Sequence, residues 1–283
     1  MERIRHALEI DQPLATQYGR FVKGVFVGRT YNTGTEAQLN CEAPCLGYSY
    51  QTDLPVTSLI KDRLPATLSI AVGASVLWLL VGLSGGILSA LKRGTLIDRG
   101  SQAFALAGAS LQIYFVGLIL QFLFVNKLEW LPMPGYVSPF EMPFEWAKEM
   151  VLPWVTLAFL LSAIYSRLTR SGMIEVMSED YIRTARAKGL SARQINFKHV
   201  LRSAITPIVT VFGLDLGALL GGAVITEYVF NIPGLGKLAT EAVANVDMPV
   251  ITGTVILAAA FIITANMVVD IIYSFLDPKV RLK

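Results

Sequence analysis

Two carboxylates stand out in this 283-residue sequence because each lies inside a long stretch that is otherwise uncharged. Asp215 is near the middle of a 24-residue stretch, and Asp270 lies towards the end of a 29-residue one. An ionisable group at the centre of a membrane-spanning helix costs about 2.5–3.5 kcal/mol, so it faces a bundle interior or a water-filled cavity. Asp215 therefore either lines a pathway or makes an interhelical hydrogen bond or ion pair. For Asp270 we expect an ion pair with an arginine such as Arg167 or Arg170.

The rest of the composition excludes most classes of soluble protein. Hydrophobic residues make up 53% and charged residues only 16%, against about 25% charged in soluble domains, and the mean hydropathy is +0.54. Five weakly charged stretches are long enough, the third marginally, to cross a bilayer as helices. They are Pro65–Leu91, Gly100–Val125, Met150–Ser166, Ser203–Thr226 and Met248–Leu276. The predicted fold class is an all-α, polytopic transmembrane helical bundle with five spans.

Lysine and arginine are unevenly distributed between the segments that connect these stretches. Lys92–Arg99, Arg167–Arg202 and the tail after Leu276 carry fourteen of them, whereas the two remaining connecting loops carry three. Basic residues accumulate in the cytoplasmic loops of membrane proteins. The three segments that carry the fourteen basic residues, including the C-terminal tail, are therefore predicted to be cytoplasmic. The net charge of +3 indicates topology and not nucleic-acid binding.

This orientation places residues 1–64 outside, as an extracytoplasmic segment ahead of the membrane domain 65–276 and the cytoplasmic tail 277–283. The segment has seven basic and seven acidic residues, and no apolar run that could span a bilayer or act as a signal peptide. A polar N-terminus of this length does not readily cross a membrane without a preceding hydrophobic signal. We therefore expect a transmembrane helix upstream of Met1, lost through start-codon choice, truncation or processing. The alternative is a genuine N-out protein.

The chain's two cysteines, Cys41 and Cys45, lie in this external segment. External thiols normally oxidise, so a local disulfide is favoured over free thiols. A metal site needs more ligands, and the two histidines, His6 and His199, fall on opposite sides of the membrane or nearly so. No metal is assigned.

The connecting loop Arg167–Arg202 is patterned for two short helices. Ser178 is predicted to cap the first helix, which continues from Tyr181 to Lys188 and ends in basic residues. Gly189 suits the left-handed position that follows a helix C-terminus. The first helix of the loop is therefore predicted to end at this glycine.

The second helix begins with the capping box Ser191–Gln194. It is predicted to present Ile195, His199 and Arg202 on one face and to run into Pro207, at the start of the fourth span. His199 is either a contact or a packing residue. Two short, capped helices of this kind suit the docking of a cytoplasmic partner, chiefly through the five residues from Ala185 to Gly189. Four basic residues are interpreted as solvated charges that set topology: Arg167, Arg170, Lys198 and Arg202.

The same loop resembles the EAA loop of permease subunits of binding-protein-dependent type I ABC importers. The resemblance rests on the run Asp180–Gly189 and on Ile195, His199, Leu201 and Pro207. In that family the loop forms a coupling helix, which sits in a groove of a cytoplasmic ATPase, and Thr184 here replaces the glutamate of the family name. The resemblance implies this role for Tyr181, Thr184, Ala185, Arg186, Ala187, Lys188, Gly189, Ile195, His199 and Pro207.

Three further stretches resemble the dipeptide, oligopeptide and nickel branch of the family: Leu8–Val22, Glu227–Gly236 and Asp270–Arg281. The second is similar to an external FxxPGLG loop, which is either a docking or gate-adjacent loop or only a tight turn. Its residues here are Phe230, Pro233, Gly234 and Gly236. The family has six spans, so the resemblance also implies a missing first helix. Residues Arg29–Tyr50 match nothing that we can place.

The sequence lacks the patterns of an enzyme. There is no Walker A motif and no HExxH pattern, and no paired carboxylates lie within a span. No catalytic residue and no cofactor is therefore assigned to this chain, and ATP and magnesium would be bound by partner ATPase subunits.

The resemblance implies a multi-pass permease of the bacterial inner membrane that imports di- or oligopeptides by alternating access. If Asp215 lines the pathway, its charge suits a peptide amino terminus. The implied partners are a homologous second permease, two cytoplasmic ABC ATPases, an extracytoplasmic substrate-binding protein and the lipid bilayer. A nickel or glutathione importer of the same branch is an alternative, although the spans contain no cluster of histidine or cysteine that would favour nickel. A different class is a secondary transporter without ABC partners, which typically has inverted repeats and several midplane ionisable residues.

Overall fold

The computed structural model describes residues 13–32 and 38–276, and helices dominate this part of the chain. The tail 277–283 and parts of the Leu8–Val22 and Asp270–Arg281 matches lie outside the described residues. The helices are α1 (Leu14–Val27), α2 (Val56–Leu91), α3 (Leu96–Ser110), α4 (Ile113–Lys127), α5 (Pro143–Met177), α6 (Asp180–Ala187), α7 (Ala192–Ala204), α8 (Thr206–Leu220), α9 (Val224–Val229), α10 (Leu235–Ala244) and α11 (Met248–Leu276). The strands are β1 (Arg29–Asn32), β2 (Gln38–Cys41), β3 (Tyr48–Ser49) and β4 (Leu54–Pro55).

Three of these helices, α2, α5 and α11, are continuous and have the length and apolar composition to cross a membrane. Two bent pairs meet the same criteria when each pair is taken together: α3 with α4, bent by 100°, and α7 with α8, bent by 46°. The described residues therefore contain three continuous spans, or up to five if each bent pair is one span. The predicted all-α transmembrane fold is confirmed.

The second uncharged stretch, Gly100–Val125, is not one straight helix. Between α3 and α4, Leu111 and Gln112 take extended backbone, with ψ angles of 134° and 139°. After this break α4 packs against α9, where a Cβ on Gly117 would lie 3.0 Å from Val229. No proline or glycine stands at the break itself, so hydrophobicity alone predicted a single span.

Gly217 in α8 and Gly221 at its C-terminus allow close helix packing. A Cβ added to Gly217 would lie 2.9 Å from the methyl group of Ala265 in α11, and one added to Gly221 would lie 2.8 Å from that of Ala258. Small residues allow membrane helices to approach at short distance and gain dispersion contacts. As a result α11 packs along α8.

The main apolar core lies between α2, α5, α8 and the segment around α9. Its fully buried side chains include Ile70, Trp78, Met150, Tyr165 and Phe230. Two smaller clusters lie at opposite ends of α2. The cluster at the start of α2, which lies near the strands and which we call the hairpin-end cluster, comprises Leu46, Val56, Ile60, Leu235, Leu238, Ala242 and Val250. The cluster at the end of α2, which lies near the loop Arg167–Arg202 and which we call the loop-end cluster, comprises Ala90, Met173, Ile182, Ile195, Val200 and Ala204.

The segment Arg29–Tyr50, which the sequence left unplaced, contributes three short strands, β1 to β3, and with β4 they form two antiparallel pairs that were not predicted. β1 pairs with β2 with Arg29 opposite Cys41, and β3 pairs with β4 with Tyr48 opposite Pro55. Cys41 and Cys45 are joined by a disulfide with an S–S distance of 2.07 Å. The linked cysteines therefore close the turn between the two strand pairs.

This segment is anchored to the loop between α10 and α11. The hydroxyl of Ser49 donates to the carboxylate of Asp247, and the side-chain amide of Gln51 donates to the backbone oxygen of Asn245 at 2.6 Å. The disulfide thus belongs to the end of the bundle that is opposite the loop-end cluster.

Candidate functional site

The helix that the sequence predicted to couple to a partner, α6, is attached to the bundle chiefly by one buried side chain. Ile182 is fully buried in the loop-end cluster, where it meets Met173 of α5, Ala90 of α2 and Val200 of α7. The hydroxyl of Tyr181 also forms a hydrogen bond with Ser203 at 3.2 Å. α6 therefore packs directly against α2, α5 and α7.

The opposite face of α6 is open. Tyr181 is 47% exposed, and Ala185 is half-buried. Five further residues that the sequence predicted to dock a partner are exposed. These five are Thr184, Arg186, Ala187, Lys188 and Gly189. The predicted docking residues therefore share an accessible, basic surface at the loop end of the bundle.

The turn after α6 has the predicted glycine chemistry. Gly189 has a φ of +76°, and its backbone N–H donates to the oxygen of Arg186, while that of Leu190 donates to Ala185. These two bonds form a Schellman motif, in which the left-handed residue favours glycine. The capping box is present too: Ser191 Oγ accepts from Gln194 N–H, and Gln194 Oε1 accepts from Ser191 N–H. Both predictions are confirmed.

Two details of the loop were predicted wrongly. Ser178 does not cap α6, because its hydroxyl donates to Glu175 within the last turn of α5, and Glu179 occupies the cap position without a side-chain bond. α5 continues to Met177, beyond the charged residues at which the uncharged stretch ends, so Ser178 belongs to its C-terminus.

The second error concerns α7. This helix is α-helical at Ala192–Gln194 and Leu201–Ala204 but π-helical at Ile195–Val200. A π turn contains one extra residue, so the buried face runs through Ile195, Val200 and Ala204 instead of Ile195, His199 and Arg202. His199 is half-buried and Arg202 exposed. Pro207 lies in the first turn of α8, just after the 46° bend.

A buried ion pair, which the sequence analysis missed, lies near the same end of the bundle. Asp98 is only 3% exposed and accepts from Arg170 Nε at 2.7 Å and Nη2 at 3.1 Å. Ser89, Gln102 and the backbone of Gly94 donate to the same carboxylate at 2.6–3.0 Å. These bonds join the end of α2, the start of α3 and α5. The sequence signal that could have revealed this pair is the position of Asp98, an acidic residue just before the uncharged stretch Gly100–Val125.

Asp270 does not pair with Arg170, contrary to the sequence-based expectation. Arg170 is engaged by Asp98, and α11 packs along α8 instead of along α5. Asp270 is exposed and forms no ion pair with any of residues 13–32 and 38–276.

Asp215 makes a hydrogen bond between two helices. The hydroxyl of Tyr165 in α5 donates to Asp215 Oδ2 at 2.8 Å, and Tyr165 packs against the buried ring of Trp78. Asp215 itself is only half-buried. The geometry contains the interhelical bond, and the remaining exposure is compatible with a pathway-lining role.

A second buried carboxylate, Glu227, organises the FxxPGLG loop. Glu227 is fully buried and accepts from the hydroxyl of Thr67 at 2.9 Å, the N–H of Ala223 at 3.1 Å and the N–H of Lys237 at 2.7 Å. Lys237 lies in the first turn of α10, where a negative charge is favourable. Burial raises the pKa of Glu227 even though these donors stabilise its charged form. Its position directly after an uncharged stretch was the missed signal.

The loop itself is packed inside the protein. Phe230 and Gly236 are buried and Pro233 half-buried, and a Cβ on Gly234 would lie 2.2 Å from the Glu227 carboxyl carbon. The glycines are therefore required by close approach. This burial favours a tight internal turn over a docking surface, and a gate-adjacent role stays a prediction.

Metal binding by the described residues has no geometric support. Within residues 13–32 and 38–276, no group of three or more histidine, cysteine, aspartate or glutamate side chains is placed to hold a metal ion. The site therefore consists of an exposed face of α6 whose other side packs on the bundle.

Comparison with known proteins identifies the class to which this architecture belongs. The sequence-family model of the binding-protein-dependent transport system inner membrane component matches residues 82–282. A second family model, of the N-terminal part of such membrane components, matches residues 1–71. The di/tripeptide transport system permease protein DppB of Pseudomonas aeruginosa is 38% identical over 296 residues, which cover 98% of this chain and 83% of that protein. The dipeptide transport system permease protein DppB of Escherichia coli is 35% identical over 309 residues, with coverage of 99% and 86%.

The fold also resembles a solved transporter. The MetNI methionine ABC transporter in an inward-facing conformation superposes with a TM-score of 0.62 at 16% identity, covering 78% of this chain and 98% of that one. At this identity the similarity establishes the fold alone. Because the family model spans most of the chain and relatives above 30% identity align along nearly all of it, this protein belongs to the inner membrane components of binding-protein-dependent transport systems, the permease subunits of ABC importers.

Proposed function

We propose that this permease forms half of a translocation pathway for di- or oligopeptides and is driven by cytoplasmic ATPases that dock on α6. The observation that carries the proposal is the two-sided character of α6. Ile182 fastens one face to the loop-end cluster, while Tyr181, Thr184, Ala187 and Lys188 leave the other face accessible. A helix held in this way passes a displacement on to the spans, because packed interiors deform little.

The peptide substrate is supported by the relatives. Those from Pseudomonas aeruginosa and Escherichia coli are named for di/tripeptide and dipeptide transport and align along nearly the whole chain. Nickel and glutathione importers of the same branch are the alternative substrates. The described spans offer no histidine or cysteine cluster for nickel, which favours peptides.

The proposed cycle is alternating access. A substrate-binding protein delivers the peptide to the hairpin end, which we place outside the cell, and two ATPases bind ATP and magnesium at the loop end, which we place with the C-terminus in the cytoplasm. Closure of the ATPases displaces α6, and the packing of Ile182 against Met173 and Val200 moves α5 and α7. A homologous second permease completes the pathway.

Co-purification tests the proposal. The tagged chain, expressed with its neighbouring genes, should retain an ATPase subunit, and Ala187→Trp should abolish this retention by adding bulk to the exposed last residue of α6. Ala244→Trp is the matched control, because Ala244 is the exposed last residue of α10. If no ATPase is retained by the unmodified chain, a transporter without ABC partners becomes the better interpretation. If Ala187→Trp retains as much ATPase as Ala244→Trp, docking at α6 is wrong.

A further inference from the structure

A pocket of about 400 Å³ opens between α3 and α5, beside the Asp98–Arg170 pair. We call it the boundary pocket, and the lining residues that matter here are Ser101, Gln102, Leu106, Ser166, Arg167 and Arg170. It is separate from α6 and from the Tyr165–Asp215 hydrogen bond, and nothing in the proposed transport cycle uses it.

The boundary pocket changes from charged to apolar along its length. α3 and α5 run antiparallel, so Arg170 lies beside Asp98, and Ser166 lies beside Ser101 at 3.1 Å. One turn further along α3 the lining residue is Leu106, which is 63% exposed. The polar end therefore coincides with the end of the spans, and the apolar end lies at hydrocarbon depth.

The charges of the boundary pocket favour an anion. Arg170 is already neutralised by Asp98. The side chain of Arg167 is exposed and has no hydrogen bond or ion pair with any residue in the described ranges 13–32 and 38–276. One uncompensated guanidinium therefore remains, next to the exposed amide of Gln102, whose N–H group that does not bond Asp98 can donate to a phosphate oxygen.

We propose that the boundary pocket binds an anionic phospholipid, with its phosphate on Arg167 and an acyl chain along Leu106. The order of the groups matches that of a phospholipid: a guanidinium and an amide for the headgroup, then an apolar wall for the chain. Basic pockets between membrane helices at the cytoplasmic boundary bind anionic headgroups in this way. The assignment to the cytoplasmic leaflet rests on the orientation in the proposed function, whereas the pocket and its charges do not.

Lipid titration followed by native mass spectrometry tests this proposal. The full chain, purified with whatever subunits it retains, is titrated with phosphatidylglycerol and with phosphatidylcholine of the same acyl chains. We expect phosphatidylglycerol to bind about fivefold more tightly, as one basic residue near an anionic surface predicts. Arg167→Gln should remove this preference and Arg167→Lys should keep it.

Arg99→Gln is the matched control, because Arg99 is an exposed arginine of α3 that does not line the boundary pocket. If Arg167→Gln and Arg99→Gln show the same preference for phosphatidylglycerol over phosphatidylcholine, the proposal is wrong. Displacement of the lipid by millimolar inorganic phosphate would also overturn it, in favour of a soluble anion. Loss of a second permease from Arg167→Gln, without loss of lipid, would assign the surface to a protein interface instead. The readout needs no transport, so failure of the ATPase co-purification leaves this test intact.

Discussion

Arg170 and Asp98 form a buried ion pair across two helices, with Arg170 Nε 2.7 Å from Asp98 Oδ1. Three further donors complete the coordination of the carboxylate, so it is fully paired although almost entirely buried. Removing one partner of such a pair leaves the other charge buried without compensation, which costs far more than loss of an exposed pair.

Asp98→Asn should therefore lower the Tm of the detergent-purified chain by about 5–10 °C. The control is Asp180→Asn, which removes the exposed 3.4 Å pair with Arg183 and should change the Tm by less than about 2 °C. Equal shifts in the two variants would contradict a structural role for the buried pair.

Gly234→Ala should destabilise the protein by about 1–3 kcal/mol, because its new methyl group would overlap the Glu227 carboxyl carbon. Gly100→Ala, a helical glycine with no neighbouring atom within 4 Å, should be neutral or slightly stabilising. Denaturant unfolding measures both. Adding Glu227→Ala to Gly234→Ala should cost less than the sum of the two single changes. Strict additivity would show that the two residues do not clash.

Gly189→Val should uncouple transport from ATP hydrolysis while leaving membrane insertion unchanged. A β-branched residue at a φ of +76° costs about 1–2 kcal/mol, which corresponds to a five- to thirtyfold shift between conformers of the turn. Gly189→Asn is the matched control, since asparagine tolerates this conformation. Peptide uptake and ATPase activity in proteoliposomes are the measurements. Uptake by Gly189→Val that equals uptake by Gly189→Asn would remove the turn from the coupling mechanism.

Cys41 and Cys45 should resist alkylation until the protein is reduced, and then take up two alkyl groups by intact mass. Replacing both with serine should destabilise the segment that contains β1 to β4 by about 2 kcal/mol, the value expected for the short loop that this disulfide closes. Hydrogen exchange in that segment would report the loss. Alkylation of the unreduced protein would show that the thiols are free.

Tyr165 and Asp215 should be energetically coupled. A cycle of Tyr165→Phe, Asp215→Ala and the double variant should give about 0.6 kcal/mol and at most about 1.7 kcal/mol, the range for hydrogen bonds between membrane helices. Zero coupling would contradict the hydrogen bond. Peptide uptake by Asp215→Asn then separates the two roles, because a purely structural hydrogen bond predicts normal transport.

The features that were correctly predicted from the sequence depend on neighbouring residues. The left-handed Gly189 and the Ser191–Gln194 capping box each involve a few consecutive positions whose chemistry specifies the backbone. The apolar stretches likewise reveal membrane helices by composition alone. Ser178 was misplaced because α5 extends past the end of its uncharged stretch, where composition no longer marks a helix.

The features that were missed depend on packing between distant parts of the chain. Asp98 and Arg170 are 72 residues apart, and nothing local to either indicates its partner. The π turn at Ile195–Val200 places Ile195 and Val200 in one cluster, an arrangement that α-helical periodicity does not contain. Glu227 depends in the same way on Thr67, 160 residues away.

The position of α2 has a mechanical consequence for the whole subunit. This helix has 36 residues, about 54 Å, and it supplies Val56 and Ile60 to the hairpin-end cluster and Ala90 to the loop-end cluster. It therefore packs against both ends of the bundle. A tilt of about 10° around its middle carries the two ends about 5 Å in opposite directions, as follows from its length. In the coupling that we propose at α6, a rigid tilt of α2 moves the segment with the Cys41–Cys45 disulfide in the direction opposite to Ala90.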